Sequence, residues 1–265
     1  MSKPNSRTLD KALDLLIALG VDGGRQSFAD IAETVGIPFS TARRFGAVFE
    51  SRQLIVRQKA GRYLPGPALL EMAEGMPRRS VFVAMARPVL MTLSRNLGMT
   101  AHLGVLEDQM VTYLCKASAE CTPLFTREGM QLEAYCSGIG KVLLAAMADD
   151  ELGRYLAGGS LVALTPNTII DPDRLRTELA LVRTNGWAME DGEVVPGLAC
   201  LATPVTDPSG LIWAAISVSG ERRRFDARTQ ARQLASLKAA ADTLARLPVT
   251  LSPSGAEACA APAPE

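Results

Sequence analysis

The sequence predicts an α+β protein in two parts: a small helical front end and a larger body built on an antiparallel sheet. Three observations carry this reading. Residues 27–52 hold two amphipathic helix patterns separated only by Gly36-Ile37-Pro38. The later chain alternates in hairpin-like runs, most clearly in "LACLATPVTDPSGLIWAAISVS" at 198–219. The charge is split as well. The whole chain is neutral, with 28 Lys/Arg and 28 Asp/Glu, but residues 1–66 carry ten of the basic residues and six of the acidic, a net +4. A chain of 265 residues suits two domains. A basic front end on a neutral chain predicts a polyanionic partner for that end alone.

Taken in order, residues 7–20 show helical spacing of Leu9, Leu13, Leu16 and Ile17, stopped by Asp22-Gly23-Gly24. Ser27 caps the next helix, with Asp30 in the capping-box position. That helix is expected to bury Phe28, Ile31, Ala32 and Val35, and Gly36 ends it. Pro38 opens a third helix, running to about Arg52, with Ala42, Phe45, Val48 and Phe49 as its core face. "LIVRQKAGRYLPG" then reads as two short strands around Lys59-Ala60-Gly61. Three helices and a hairpin in this order, with so short a central turn, make a winged helix-turn-helix.

Residues 67–78 read as a connecting helix, and Ser80 to Asn96 as a long helix that Pro88 bends. "TAHLGVLEDQMVTYLCKA" alternates as a hairpin around Glu107-Asp108, and "LFTREG" reads as a further strand. Two helices are expected at 138–148 and 149–157. Asp171-Pro172 opens another that stops at Gly186. "GWAME" is a strand, the 198–219 hairpin turns at Asp-Pro-Ser-Gly, and a last helix spans 226–246. The Pro-, Ala- and Ser-rich residues 248–265 read as a disordered tail. The expected division is 1–66 winged helix-turn-helix, 67–79 linker helix, 80–247 sheet domain and 248–265 tail.

Several classes are set aside. No apolar run approaches the ~18–20 residues of a membrane span, and no basic start precedes an apolar run, so neither membrane nor secretory signal is expected. The five cysteines, Cys115, Cys121, Cys136, Cys200 and Cys259, lack any C-x-x-C spacing and read as reduced thiols in the cytoplasm, with no zinc site indicated. "GIGK" at 138–141 fails the phosphate-loop pattern, because the required Gly and Ser/Thr positions hold Tyr135 and Val142. No dinucleotide fingerprint appears and no cofactor is expected. Its helix start offers N–H groups near Gly138, Ile139 and Gly140 that suit a carboxylate, or else a plain tight turn.

In a helix-turn-helix the second helix lays its first turns in the major groove of double-stranded DNA. Ser40, Thr41, Arg43 and Arg44 sit there, away from Phe45 and Val48. Arginine reads guanine bidentately, and serine and threonine reach bases or phosphates. Lys59 and Arg62 lie in the wing, and Arg25 adds a further phosphate contact. Phe39, at the helix start, either meets a thymine methyl or packs under the turn.

The ordered set "RTLDKALDLL", "FADIAETVGIPFSTARRF", "GRYLPGPALLEM", "ARPVLMTLSRNLGMTAHLGVLED", "GIGKVLLA", "LTPNTIIDPDRLRTEL" and "GWAMEDGEVVPGLACLATPVTDPSGLIWAAISVSG" resembles the IclR (isocitrate lyase regulator) family of bacterial transcription factors. The resemblance covers about residues 7–245. It implies a winged helix, a linker helix and a GAF-like effector domain, assembled as a homodimer or a dimer of dimers. Many members carry a basic residue where this chain has Phe39. Many carry Asp-Asp-Glu-Glu where it has Glu190-Asp191-Gly192-Glu193.

The 198–219 hairpin, paired so that Asp207 meets Gly210, sets Pro204 opposite Trp213 and Cys200 opposite Ser217. It then has an apolar face of Ala199, Leu201, Thr203, Val205, Ile212, Ala214, Ile216 and Val218. The other face carries Leu198, Cys200, Ala202, Trp213, Ala215, Ser217 and Ser219. That second face suits either a small-acid pocket, with Met130 near by, or close helix packing. The resemblance favours the pocket and implies that Gly138, Ile139, Glu190, Cys200, Ser217 and Ser219 line it. Arg127 reads as structural rather than as a carboxylate clamp. His102, the single histidine, reads as a partly buried polar residue. The competing class is an enzyme using Cys200 and Ser217, but no base stands at a spacing that would complete it. The function expected is an operator-binding repressor released by a small carboxylic acid from aromatic catabolism, with a short aliphatic oxoacid as the alternative.

Overall fold

The computed structural model describes residues 6–118, 124–159, 161–207 and 209–247. The tail expected at 248–265, and with it Cys259, lies outside the described residues, as does Cys121. The chain divides into two compact units between Pro77 and Arg78.

The first unit comprises α1 (Arg7–Asp22), α2 (Phe28–Thr34), α3 (Phe39–Ser51), β1 (Ile55–Arg57), β2 (Tyr63–Pro65) and α4 (Pro67–Glu74). Gly23 ends α1 in the left-handed conformation, φ 61°, and returns its N–H to Leu19. The Ser27–Asp30 capping box opens α2 as its sequence requires. β1 and β2 pair antiparallel, Val56 opposite Leu64. The core is Leu15, Leu19, Phe28, Ile31, Ala32, Ile37, Ala42, Phe49 and Ile55.

Two helix faces differ from expectation. On α1, Leu9, Leu13 and Ile17 are exposed, while Leu15 and Leu19 are buried. Both sets have i, i+4 spacing, so periodicity alone could not choose between them. On α3, Val48 is exposed and Gly46 takes the core position. A Cβ at Gly46 would stand 3.0 Å from the Phe28 ring, so the missing side chain lets α3 press against that ring.

The second unit is a six-stranded antiparallel sheet in the order β5-β4-β3-β8-β7-β6. Its elements are α5 (Arg78–Leu97), β3 (Thr100–Glu107), β4 (Met110–Ala117), β5 (Gln131–Glu133), α6 (Gly138–Ala145), α7 (Asp149–Ala157), α8 (Pro172–Asn185), β6 (Ala188–Asp191), β7 (Leu198–Thr206), β8 (Ile212–Glu221) and α9 (Ala227–Ala245). Phe82 and Leu90 of α5 and Leu237 and Leu244 of α9 pack with Leu103, Leu201 and Ile216 on one face. Ile139 and Leu144 of α6, Leu152 of α7 and Leu175 of α8 pack with Ala202 and Ala215 on the other.

The β7–β8 register corrects the sequence reading. Pro204 pairs with Ala215, Ala202 with Ser217, Cys200 with Ser219 and Leu198 with Glu221. Val205 pairs with Ala214 but Thr206 with Ile212, so Trp213 is an extra residue on β8. The bulge turns Trp213 to the α5–α9 face, where its ring meets Phe82 edge-on at 4.7 Å, and turns Ile212 to the α6–α8 face. "LFTREG" is not a strand. Glu128 Oε1 accepts the Lys116 N–H at 2.9 Å, and Lys116 Nζ donates to the carbonyls of Leu124 and Thr126. Apart from one backbone bond to β4, Gly129 N–H to the Tyr113 carbonyl at 2.8 Å, side chains hold this segment where a ladder of backbone bonds was expected.

Candidate functional site

In the first unit, α3 begins after Pro38, which has no side chain able to cap it. Its first N–H groups therefore face outward to any external acceptor. Ser40, Arg43 and Arg44 are exposed and Thr41 is half-buried. Ser40, Arg43, Arg44 and Ala47 follow i, i+3, i+4, i+7 spacing, one side of the helix. Phe39 is 53% exposed, and its ring stands edge-on to Phe28 at 6.4 Å. It therefore packs against the turn while still presenting surface. Lys59 and Arg62 are exposed at the tip of the β1–β2 hairpin, and Arg25 is exposed beyond α1. Among the described residues no ion pair engages any of these five cations.

In the second unit, a cavity lies between the sheet and the start of α6. Gly138, Ile139, Glu190, Leu198, Cys200 and Ser219 all line it. Ser217, more deeply buried than Cys200 or Ser219, is set beside Ala202 and His102 in the ladder but is not part of the wall. Met130 and Trp213 also stand outside it. Arg127 is exposed on the turn before Gly129.

Glycine chemistry shapes the α6 end. Ser137 Oγ caps the helix by accepting the Gly140 N–H at 3.1 Å. A Cβ at Gly140 would stand 2.1 Å from the Ala134 carbonyl oxygen, and one at Gly138 would stand 2.9 Å from Cys200 Sγ. The two glycines allow backbone and sheet to approach the helix start closely.

Electrostatics divide the wall into neutral parts. Burial pushes the Cys200 thiol up to about 11, with the Glu190 charge adding to it, so the thiol stays protonated near neutrality. Burial also pushes Glu190 up to about 7, against the pull of the Val194 and Glu193 N–H groups that its Oε1 accepts. Lys141, one turn into α6 and 1% exposed, does not line the cavity. It is ion-paired to buried Glu193 and lies 3.6 Å from Glu178.

Sequence reasoning missed Lys141 and Glu193, and it also missed part of the wall: Tyr113, Leu124, Phe125, Thr126, Leu132, Ser137, Val194 and Val195. His102 is fully buried and lines the cavity as well, its ring 4.8 Å from that of Tyr113. The sequence reading made it a partly buried polar residue and did not assign it to the cavity. Among the described residues no group of three or more His, Cys, Asp or Glu could hold a metal ion, and no helix is long and apolar enough to cross a membrane.

A helix-turn-helix with an unpaired basic face, joined to a separate sheet unit, defines a DNA-binding transcriptional regulator. The chain belongs to the IclR family. Residues 8–59 match the IclR helix-turn-helix domain, and residues 78–246 match the bacterial transcriptional regulator IclR C-terminal domain. It is 34% identical over 237 residues to the HTH-type transcriptional regulator BhcR of Paracoccus denitrificans (strain Pd 1222), covering 88% of this chain and 85% of that protein. The crystal structure of Thermotoga maritima IclR, 30% identical, superposes with a TM-score of 0.59 over 90% of this chain and 97% of that one. That of the Agobacterium tumefaciens repressor BlcR, 26% identical, gives 0.70 over 91% and 96%.

Proposed function

We propose that this chain is a repressor that binds a palindromic operator and releases it when a small carboxylate enters the cavity of the second unit. The observation that carries this is the cavity at the α6 start, where Gly138, Ile139, Ser219 and a Glu190 pushed toward neutrality line one space with apolar side chains. In this reading residues 1–66 bind DNA, 67–79 link, and 80–247 bind the effector. Ser40, Thr41, Arg43 and Arg44 enter the major groove, and Lys59, Arg62 and Arg25 hold phosphates. Phe39 supports the turn and offers its exposed edge to a base.

A palindrome is matched by two-fold symmetry, so the working form is a homodimer or a dimer of dimers. The Agobacterium relative's name as a repressor supports the sign of control. The cavity volume is about 40 Å³, on the measure by which a single water needs ~10–15 Å³. So small a cavity favours a short aliphatic oxoacid. Phe125, half-exposed at the wall, favours an aromatic acid as the second reading, with the wall displaced. The effector acts by preferring one arrangement of the dimer, and it shifts operator affinity by no more than that preference.

The test is fluorescence anisotropy with duplexes tiled from the gene's own upstream region, at two salt concentrations, with a panel of aliphatic and aromatic acids. The expected result is tight, palindrome-specific, salt-sensitive binding released by one acid. Specific binding that no acid alters would remove the effector half of the proposal. No specific binding would remove all of it.

A further inference from the structure

His102 holds an unusual place in the second unit. It is 1% exposed and lines the cavity. Its Nε2 lies 2.8 Å from Thr126 Oγ1, while its Nδ1 is buried with no partner. Four buried side-chain polar atoms lack partners among the described residues: His102 Nδ1, Glu193 Oε2, Trp213 Nε1 and Gln233 Oε1. Of these, only the His102 atom belongs to a residue of the cavity wall. A buried donor without a partner is a costly feature unless something completes it.

The Thr126 contact favours one of the two ring nitrogens as the proton's site. Thr126 is buried, and its hydroxyl makes no other hydrogen bond among the described residues. If Nε2–H donated to it, the threonine hydrogen would be left without an acceptor. If the hydroxyl donates to Nε2, the hydroxyl and Nε2 are both satisfied, and Nδ1 carries the hydrogen as the one unpaired group. Burial first, and then the nearby Lys116 charge, lower the histidine to about 3, so the ring stays neutral and has only one N–H.

Resting on the effector reading above, we infer that His102 Nδ1–H is a specificity-determining donor that reads a second oxygen, oxo or hydroxyl, on the carboxylate effector. The carboxylate itself belongs with the α6 start, Ser219 and Glu190. An acid lacking the second oxygen leaves Nδ1–H buried and unpaired, and a site built to hydrogen-bond an oxygen rejects the analogue without it.

His102 is the only histidine in the chain, so a full-length protein labelled with [15N]histidine gives one unambiguous ring. Long-range 1H–15N spectra should show the proton on Nδ1. That nitrogen should shift with 2-oxobutyrate or 4-hydroxybenzoate and not with the matched butyrate or benzoate. The responding pair locates the second oxygen, beside the carboxylate or across the ring. By calorimetry the wild type should bind the oxygenated member about tenfold tighter or more. His102→Phe should bring that ratio close to one, and His102→Asn, which retains a side-chain N–H donor, should restore most of it.

A proton on Nε2, or an unchanged ratio in His102→Phe, would overturn the assignment. The wild-type spectra decide the matter even if the variant does not fold. Equal binding of both members of each pair would remove His102's role and leave the pocket standing. No binding of any acid would remove the pocket reading too.

Discussion

Lys141 and Glu193 form an ion pair inside the second unit, with Lys141 1% and Glu193 5% exposed. Glu193 Oε2 has no hydrogen-bond partner, so Lys141 is its main electrostatic support. Removing one partner strands the other charge. Lys141→Met is expected to destabilise the unit by about 3–5 kcal/mol in urea unfolding. The double variant Lys141→Met/Glu193→Leu should recover most of that loss, because neither charge is then buried. A loss in the double variant as large as in the single would refute this role.

If the effector binds as proposed, Glu190 is expected to make that binding pH-dependent. Its carboxyl is raised from 4.5 to about 7, chiefly by burial. The groups around it are the Glu193 charge, which pushes it further up, the Lys141 charge and two N–H groups, which pull it down, and the Cys200 and Tyr113 side chains, both neutral. Below about 7 the carboxyl is protonated and no longer repels an anion. Affinity for a carboxylate should therefore rise as pH falls from 8 to 6, with proton uptake on binding. The same shift adds stability that is complete below 4.5 and lost as pH rises through about 7. Glu190→Gln should flatten both profiles, which calorimetry across this range would reveal.

Arg44 and Lys59 should fail in different ways. Arg44→Ala should weaken operator binding by about 1–3 kcal/mol and relax the preference at one base position. Lys59→Ala should weaken all sequences alike and lower the salt slope by about one. Anisotropy against a set of single-base operator variants at several salt concentrations separates the two. Identical profiles for both variants would contradict their placement on helix and wing.

The two glycines Gly140 and Gly153 both sit in helices but should respond oppositely to alanine. A Cβ at Gly140 would lie 2.1 Å from the Ala134 oxygen, a backbone atom that cannot give way cheaply. Gly140→Ala should destabilise by about 3 kcal/mol or more. Gly153, inside α7, has open space where its Cβ would go. Gly153→Ala should stabilise by roughly 0.5–1 kcal/mol. Urea midpoints of the two variants check both signs.

Much of the first unit was legible because its signals are local. Ser27 with Asp30, Gly23 after α1 and Pro38 before α3 act within one turn of chain. The exposed stripe Leu9-Leu13-Ile17 was misread as core because α1 carries apolar residues on more than one side. Only the packing of α2, α3 and β2 on α1 settles which side is inside. The cavity was partly legible too. Strand alternation put Leu198, Cys200 and Ser219 on one face, and the resemblance to a family added Gly138, Ile139 and Glu190. Trp213 was placed wrongly because a single extra residue reverses every face beyond it, and no residue type announces that bulge.

The sequence by itself determined most of the order of elements, the caps of the first unit, the basic front end and the family. These depend on neighbours along the chain or on the ordered set of motifs. Tertiary structure alone decided that Lys141 meets Glu193 across 52 residues, that Trp213 turns away from the cavity, and that His102 stands in its wall with Nδ1 unpaired. Such facts rest on register and on which surfaces exclude water. Both are set only when distant strands and helices close on one another.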